Sequence, residues 1–379
     1  MAAGRGRTVS AVDPYVVVCA GGGGVGKTTT SAALALALAQ AGRTTLIVTI
    51  DPARRLAGAM GVPITDEVTQ VTLASAHGNL WALMPDPHRS LYTFAEQLFE
   101  GEPEAKARML ANRLYIGLAD AAAGIHELVA MSLVARAAAQ GKFDVIVIDT
   151  APSRHAIEFV TLPGRLAALL GGRTVTWLAG VAQRAGGGTP SGASAGLVGW
   201  GAAHVENLLA RVTGPTLVRD TGDLFRDLAV VRERFVALTE HAGKLLLGPT
   251  AAYLLVTAPT AAGRDDVLFL AQRLEAMGRA PRAIVMNRAD TGPAPYAHAL
   301  ASHSASSASI ALALTMLDEE RASRSEAAER LSLDFRRHLA GVPIVRLPFI
   351  DATAPDQVVR TLSRELTPHL RVLVPDEHR

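Results

Sequence analysis

Residues Gly21 to Thr30 read GGGGVGKTTT, and they fit the spacing G-x-x-x-x-G-K-[ST] with Gly21, Gly26, Lys27 and Thr28 in the required places. Upstream, Tyr15-Val-Val-Val-Cys-Ala20 is a β-branched run that reads as a buried strand. Downstream, Thr29 to Gln40 reads as an Ala/Leu-rich helix ended by Ala41-Gly42. A glycine loop between such a strand and such a helix turns its backbone N–H groups toward phosphates, with the positive end of the helix dipole behind them. Gly23, Gly24, Val25, Gly26, Lys27, Thr28 and Thr29 then form the phosphate cradle. Lys27 is placed to reach the β- and γ-phosphates, and the Thr28 hydroxyl to bind Mg²⁺. The bland alternative is a flexible glycine loop followed by a chance Lys-Thr. Strand, loop and helix in their proper order argue against it.

Working outward, Arg43 to Ile50 reads as a second buried strand, ending in Asp51-Pro52. Short strands are expected at Gln70 to Ala74 and Leu80 to Met84, followed by a helical stretch over about Pro87 to Gln140. Phe143-Asp-Val-Ile-Val-Ile148 is the clearest buried strand and runs straight into Asp149. Later strands fall at Tyr253 to Thr257, Ala283 to Met286 and Ile344 to Leu347, with helices starting near Ala262 and Pro355. This alternation predicts an α/β fold with a doubly wound, mainly parallel sheet. Two regions break the rhythm. Leu162 to Leu247 is patterned as helix, interrupted by the Gly/Ser-rich stretch Gly186 to Gly196. Ala289 to Ser309 is rich in Ala, Ser and Pro and leads into a surface helix over Ile310 to Leu339. The expected organisation is a flexible tail over 1–12 and one nucleotide-binding domain over 13–379. A helical subdomain is inserted in it at about 87–140 and 162–247.

Bulk properties narrow the partners. The 379 residues carry a net charge of +2, too near zero for a nucleic-acid surface, and the basic residues form no stripe apart from Arg5-Gly-Arg7. Hydrophobic residues make up 49% of the chain, enough for a core, yet no uninterrupted apolar run reaches the ~18 residues of a membrane span. The first residues lack the apolar centre of a signal peptide. A single cysteine, Cys19, excludes an intrachain disulfide and a CxxC zinc site, and reads as a small core thiol. A cytoplasmic protein is the expectation.

Phosphoryl hydrolysis requires a phosphate cradle, Mg²⁺, a positioned water and positive charge for the transition state. Asp149, at the tip of a buried strand, is the candidate that holds the metal directly or through water; its bland reading is a helix cap. Asp51 ends the other core strand, and parallel topology brings it to the same carboxyl edge. There it would orient or deprotonate the attacking water, although Asp-Pro is also an ordinary turn.

GGGGVGKTTT, Thr49-Ile-Asp-Pro-Ala-Arg54 and Phe143-Asp-Val-Ile-Val-Ile-Asp-Thr-Ala-Pro-Ser-Arg-His155 with Phe159-Val-Thr-Leu-Pro163 together resemble the ArsA family. That family comprises the arsenite-pump ATPase and relatives that target tail-anchored membrane proteins. The resemblance implies a dimeric Mg-ATPase with ATP and Mg²⁺ as cofactors and an inserted helical subdomain. It makes Asp51 the switch I residue and Asp149 to His155 switch II, the γ-phosphate sensor. Gly124-Ile-His-Glu127 is similar to the family's Pro-Gly-x-x-Glu stretch, with Ala123 where proline is usual. Asn287 matches the asparagine that reads the adenine edge, and Leu347-Pro348-Phe349 resembles the loop that closes over the base.

The departures carry information too. The family's loop usually reads Gly-Lys-Gly-Gly-Val-Gly-Lys-Thr, with a first lysine that crosses the dimer interface; here that position is Gly22. Either a lysine-bearing paralogue completes a heterodimer, the favoured reading, or Arg54, Arg55 or Arg154 substitutes in a homodimer, or turnover is weak. The last case makes the chain a nucleotide-binding regulatory subunit. Without further cysteines, no thiolate trio can bind arsenite. Met84, Met109 and Met131 are too few to define a client groove, so the client stays unnamed and a peripheral membrane link stays open.

Overall fold

The computed structural model describes residues 13–50, 55–72, 79–113, 115–116, 123–151, 215–290, 308–352 and 354–374. At its centre is an eight-stranded sheet built from β1 (Tyr15–Ala20), β2 (Thr45–Thr49), β3 (Thr69–Gln70), β4 (Leu80–Leu83), β5 (Val145–Asp149), β6 (Ala251–Thr257), β7 (Ala283–Met286) and β8 (Ile344–Arg346). The strand order is β3-β4-β2-β5-β1-β6-β7-β8. Every neighbouring pair runs parallel except β3 with β4. This is the mainly parallel α/β sheet of a P-loop nucleotide-binding fold.

The central strands β1, β2, β5 and β6 are buried at every position, and mostly apolar, because both faces are covered. Val17, Cys19, Ile47, Val145, Val147, Leu254, Val256 and Val285 share one core with α1 (Lys27–Gln40), α2 (Arg55–Met60) and α10 (Pro355–Leu366). The alternate residues Val16, Val18, Leu46, Val48, Ile146, Ile148, Leu255 and Ile284 point to the other face and are equally inaccessible. Helix α1 packs on α10, β2 and α2. It is buried almost all round, which explains its Ala/Leu composition: small residues let neighbours approach from several sides. It ends at Ala41, followed by Gly42 in the left-handed region (φ 89°), a backbone a side chain would strain.

The helical stretch expected over 87–140 is broken into α3 (Pro87–Leu98), α4 (Pro103–Ala111) and α5 (Ala123–Ala139). Asp86 caps α3 by accepting from the Arg89 N–H at 3.1 Å, and proline opens both α3 and α4. Gly101, at φ 78°, turns the chain between them. Farther on come α6 (Pro215–Val230), α7 (Arg232–Leu247), α8 (Ala261–Ala276) and the long α9 (Ala308–His338), then a 3₁₀ turn (Thr367–His369) and the short α11 (Leu370–Leu373). The first edge strand is shorter than its expected 70–74 span, stopping at Gln70.

Two compact units emerge. The first comprises Met1–Pro85, Arg136–Glu158 and Leu245–Arg379, and carries the sheet. The second comprises Asp86–Ala135 and Phe159–Lys244. Within it Arg108 donates to the buried Asp227 (2.7 Å), Asn112 Nδ2 to the Asp220 carbonyl (2.8 Å) and the Tyr115 hydroxyl to the Leu91 carbonyl (2.8 Å). Phe94 and Phe235 meet edge to face. Among the described residues, no helix is long and apolar enough to cross a membrane.

Candidate nucleotide-binding site

Loop Gly21–Gly26 joins the end of β1 to α1, and its glycines are not all there for the same reason. A Cβ on Gly21 would lie 2.1 Å from the Val256 carbonyl oxygen of the neighbouring strand, so the loop leaves the sheet only because that atom is missing. Gly24 and Gly26 sit at φ 73° and 91°, in the left-handed region where a side chain is strained. A Cβ on Gly26 would also meet Asn287 Nδ2 at 2.2 Å. Gly23 is different. It is exposed, takes no left-handed conformation, and its Cβ would touch nothing within 4 Å.

Lys27 is 6% exposed and donates from Nζ to the Gly22 carbonyl at 2.7 Å, curling the lysine back over its own loop. Thr28 and Thr29, on the first turn of α1, are half-buried. Asp149 is fully buried at the tip of β5, in register with Cys19 of β1 and Thr49 of β2. Its carboxylate accepts from Thr49 Oγ1 (3.1 Å) and, more loosely, from Ser31 Oγ (3.4 Å). Those hydrogen bonds offset part of the cost of burying the polar group. Just beyond, Thr150 hooks back, its hydroxyl donating to the Cys19 carbonyl at 2.8 Å. Burial pushes the Cys19 thiol up to about 12, partly relieved by Ser31, so it is a packed core thiol rather than a nucleophile.

Asn287 follows β7 and is 6% exposed. Its Nδ2 donates to the Val25 carbonyl at 3.0 Å, tying the end of β7 to the phosphate loop. The turn continues through Arg288, which has a positive φ of 56°. Leu347, Pro348 and Phe349 leave β8 next door, and Leu347 N–H donates to the Met286 carbonyl at 2.9 Å. The structure thus gathers the sequence-identified Gly23, Gly24, Val25, Gly26, Lys27, Thr28, Thr29, Asp149, Asn287 and Pro348 along the carboxyl edge of one sheet. Asp51, Arg54, Arg154 and His155 lie outside the described residues, as does the 186–196 stretch. Arg55 opens α2 and is exposed. Gly124 to Glu127 lie on α5.

Residues 15–183 match the family described as anion-transporting ATPase, the ArsA ATPases. Over that segment, a little under half of its length, the chain is similar to the ArsA family. Among curated relatives, the chain is 33% identical over 131 residues to ATPase GET3 of Mycosarcoma maydis, covering 35% of this chain and 37% of that protein. It is 30% identical over 136 residues to ATPase get3 of Schizosaccharomyces pombe, covering 36% and 39% respectively. It is 32% identical over 137 residues to a putative arsenical pump-driving ATPase of Halobacterium salinarum, covering 34% and 20%. The matched stretch therefore spans well under half the length of these relatives.

Where ArsA-family loops carry their first lysine, this chain has a buried Gly22, and a Cβ there would lie 2.1 Å from Asp266 Oδ2 on α8. The position that is cationic in the family is backed here by a carboxylate. Asp266 is a residue that sequence reasoning missed, as are Ser31 and Thr49. For Ser31 a signal existed, since it lies four residues after Lys27 and so one helical turn along the same face.

Proposed function

We propose that this chain is a Mg-dependent, ATP-hydrolysing protein of the ArsA type that couples its nucleotide state to the binding of a partner or client through its helical segments. The observation that carries the reading is Lys27, buried and folded onto the Gly22 carbonyl at 2.7 Å in a loop of left-handed glycines, one strand from the buried Asp149 carboxylate. The residues suit the ligands. Mg²⁺ takes oxygen donors, and the Thr28 hydroxyl and Asp149 carboxylate are such donors. Gly23 leaves open space where a backbone-hugging phosphate would lie. Mg²⁺ held by these oxygens would supply positive charge against the phosphates.

In this reading Lys27 leaves Gly22 for the terminal phosphates, and Asp51 orients and deprotonates the attacking water. Strand spacing sets the length of the site. The ends of β1 and β7 are two strands apart, about 10 Å, which suits phosphates on the Gly21–Gly26 loop and a base at Asn287 and Pro348. The proposed organisation is a single ATPase domain over 13–379 behind a 1–12 tail, with helical insertions at about 87–140 and 162–247. We place it in the cytoplasm, as a dimer, with no nucleic-acid role. Arsenite is a poor substrate candidate for a chain whose one thiol is buried and protonated.

A second reading, a regulatory subunit of a heterodimer, draws on Gly22, which leaves the loop without the lysine that the family carries there. Calorimetry with Mg-ATP, followed by phosphate release, tests both. The first reading expects binding and turnover by the chain alone or with a lysine-bearing paralogue. It further expects loss of binding in Lys27→Ala, and retained binding without turnover in Asp51→Asn. An absence of heat from the folded chain in either setting overturns the nucleotide reading.

A further inference from the structure

We infer that Thr49 is a positioning residue for Asp149: its hydroxyl, with that of Ser31, fixes the plane in which the carboxylate is offered to Mg²⁺. The inference rests on the reading above for the metal, and on the strand tips for everything else. Thr49 ends β2 and is 2% exposed, and Asp149, ending β5, is its register partner. Both lie on the side of the sheet that packs against α1, since each is two residues on from a member of that core, Ile47 or Val147. Thr49 Oγ1 donates to Asp149 Oδ2 at 3.1 Å, and Ser31 Oγ, on α1, donates to Oδ1 at 3.4 Å. A hydroxyl therefore meets each carboxylate oxygen, and the two come from different elements.

The main chain around Asp149 is tied as well. Ile50 N–H donates to the Asp149 carbonyl, and the Thr150 hydroxyl to the Cys19 carbonyl, both at 2.8 Å. The end of β5 is thereby pinned to β2 on one side and, on the other, to β1, which feeds the phosphate loop. What stays adjustable is the last torsion of the Asp149 side chain, which is broad in aspartate. Hydroxyls on both oxygens restrict it. The fold alone does not ask for a hydroxyl at position 49, since valine has nearly the same shape, suits a buried strand and brings no polar atom to bury. Ser31 adds a reference point. It lies on α1 three residues after Thr28, one helical turn from the candidate metal hydroxyl. Mg²⁺ demands near-ideal octahedral geometry, so two ligands of one ion must keep a fixed relation. Bonding Asp149 to the helix that carries Thr28 maintains that relation.

Calorimetry on the full chain compares ATP with excess Mg²⁺ and ATP with EDTA, for wild type, Thr49→Val and Thr49→Ser. Expected is a fall in Mg-ATP affinity of roughly ten- to a hundredfold in Thr49→Val, with metal-free ATP affinity within about twofold of wild type. Thr49→Ser, which keeps the hydroxyl, should recover most of the loss. Should Thr49→Val fail to fold, Ser31→Ala takes its place, since alanine suits α1. Its longer bond predicts a smaller loss in the same direction, about three- to tenfold for Mg-ATP alone. Unchanged Mg-ATP affinity, equal losses with and without Mg²⁺, or no recovery in Thr49→Ser overturns the positioning role while leaving the nucleotide reading intact. Wild type that binds neither form of ATP overturns the nucleotide reading itself, and this inference with it.

Discussion

Gly26 and Gly23 are both glycines of the same loop, and replacing each with alanine should have opposite consequences. At Gly26 the backbone is left-handed, which costs an alanine about 1–2 kcal/mol. The new methyl would also sit 2.2 Å from Asn287 Nδ2, so the amide must swing away and abandon Val25. Leaving that buried donor and acceptor unpaired adds about 1–3 kcal/mol. Gly26→Ala should therefore destabilise the chain by about 2–5 kcal/mol. At Gly23 neither penalty exists, since the backbone is ordinary and the Cβ meets open space. Gly23→Ala should change stability by less than about 0.5 kcal/mol. If a phosphate occupies that space, however, the same methyl should weaken Mg-ATP binding at least about tenfold. Urea denaturation of both variants, paired with calorimetry, reads the two effects separately. The reasoning is refuted if Gly23→Ala binds Mg-ATP like wild type, or if Gly26→Ala unfolds at the wild-type urea concentration.

Three further outcomes follow from the geometry. Cys19 is fully buried with its thiol pushed up to about 12, so a disulfide reagent at pH 8 should label it only when the strand opens. Saturating Mg-ATP should slow that labelling by about the factor 1 + [L]/Kd, and labelling that ignores ligand would separate Cys19 from the site. Tyr253→Phe removes a 2.6 Å hydrogen bond to the Leu246 carbonyl in the core and should cost about 1–3 kcal/mol by urea denaturation. Gly22→Lys combined with Asp266→Ala should raise turnover by at least about tenfold if an in-trans cation is what the chain lacks; equal turnover would show that it is not limiting.

The sheet was legible because its central strands are continuous apolar runs, a pattern that parallel, doubly covered sheets impose. Tyr15 to Ala20 and Ala283 to Met286 are strands at the expected bounds, and Val145 to Asp149 falls within two residues of them. The helical stretch after Pro87 was less legible. Its interruption at Gly101 and the two N-terminal prolines, Pro87 and Pro103, were present in the sequence but were outweighed by apolar periodicity. In the site, Gly21 to Thr28 could be read from spacing alone because backbone geometry demands that spacing. Thr49 and Asp266 could not, because each meets a segment far away in the chain: Thr49 bonds Asp149 on the neighbouring strand, and Asp266 backs the loop at Gly22. Hydrophobic patterning fixes which face a residue occupies, and it carries no information on which polar side chains meet at strand tips.

The carboxyl edge of this sheet concentrates the costly features of the fold. Two left-handed glycines, a buried lysine and a buried aspartate lie within one loop and its neighbouring strand. Each of these opposes folding, and the apolar strands beneath must offset them. Local pairing limits the damage, with Lys27 on Gly22 and Asp149 between two hydroxyls. Self-pairing has a consequence for binding. A triphosphate must first draw Lys27 away from a carbonyl 2.7 Å distant, so part of its interaction energy replaces an existing hydrogen bond rather than adding to it.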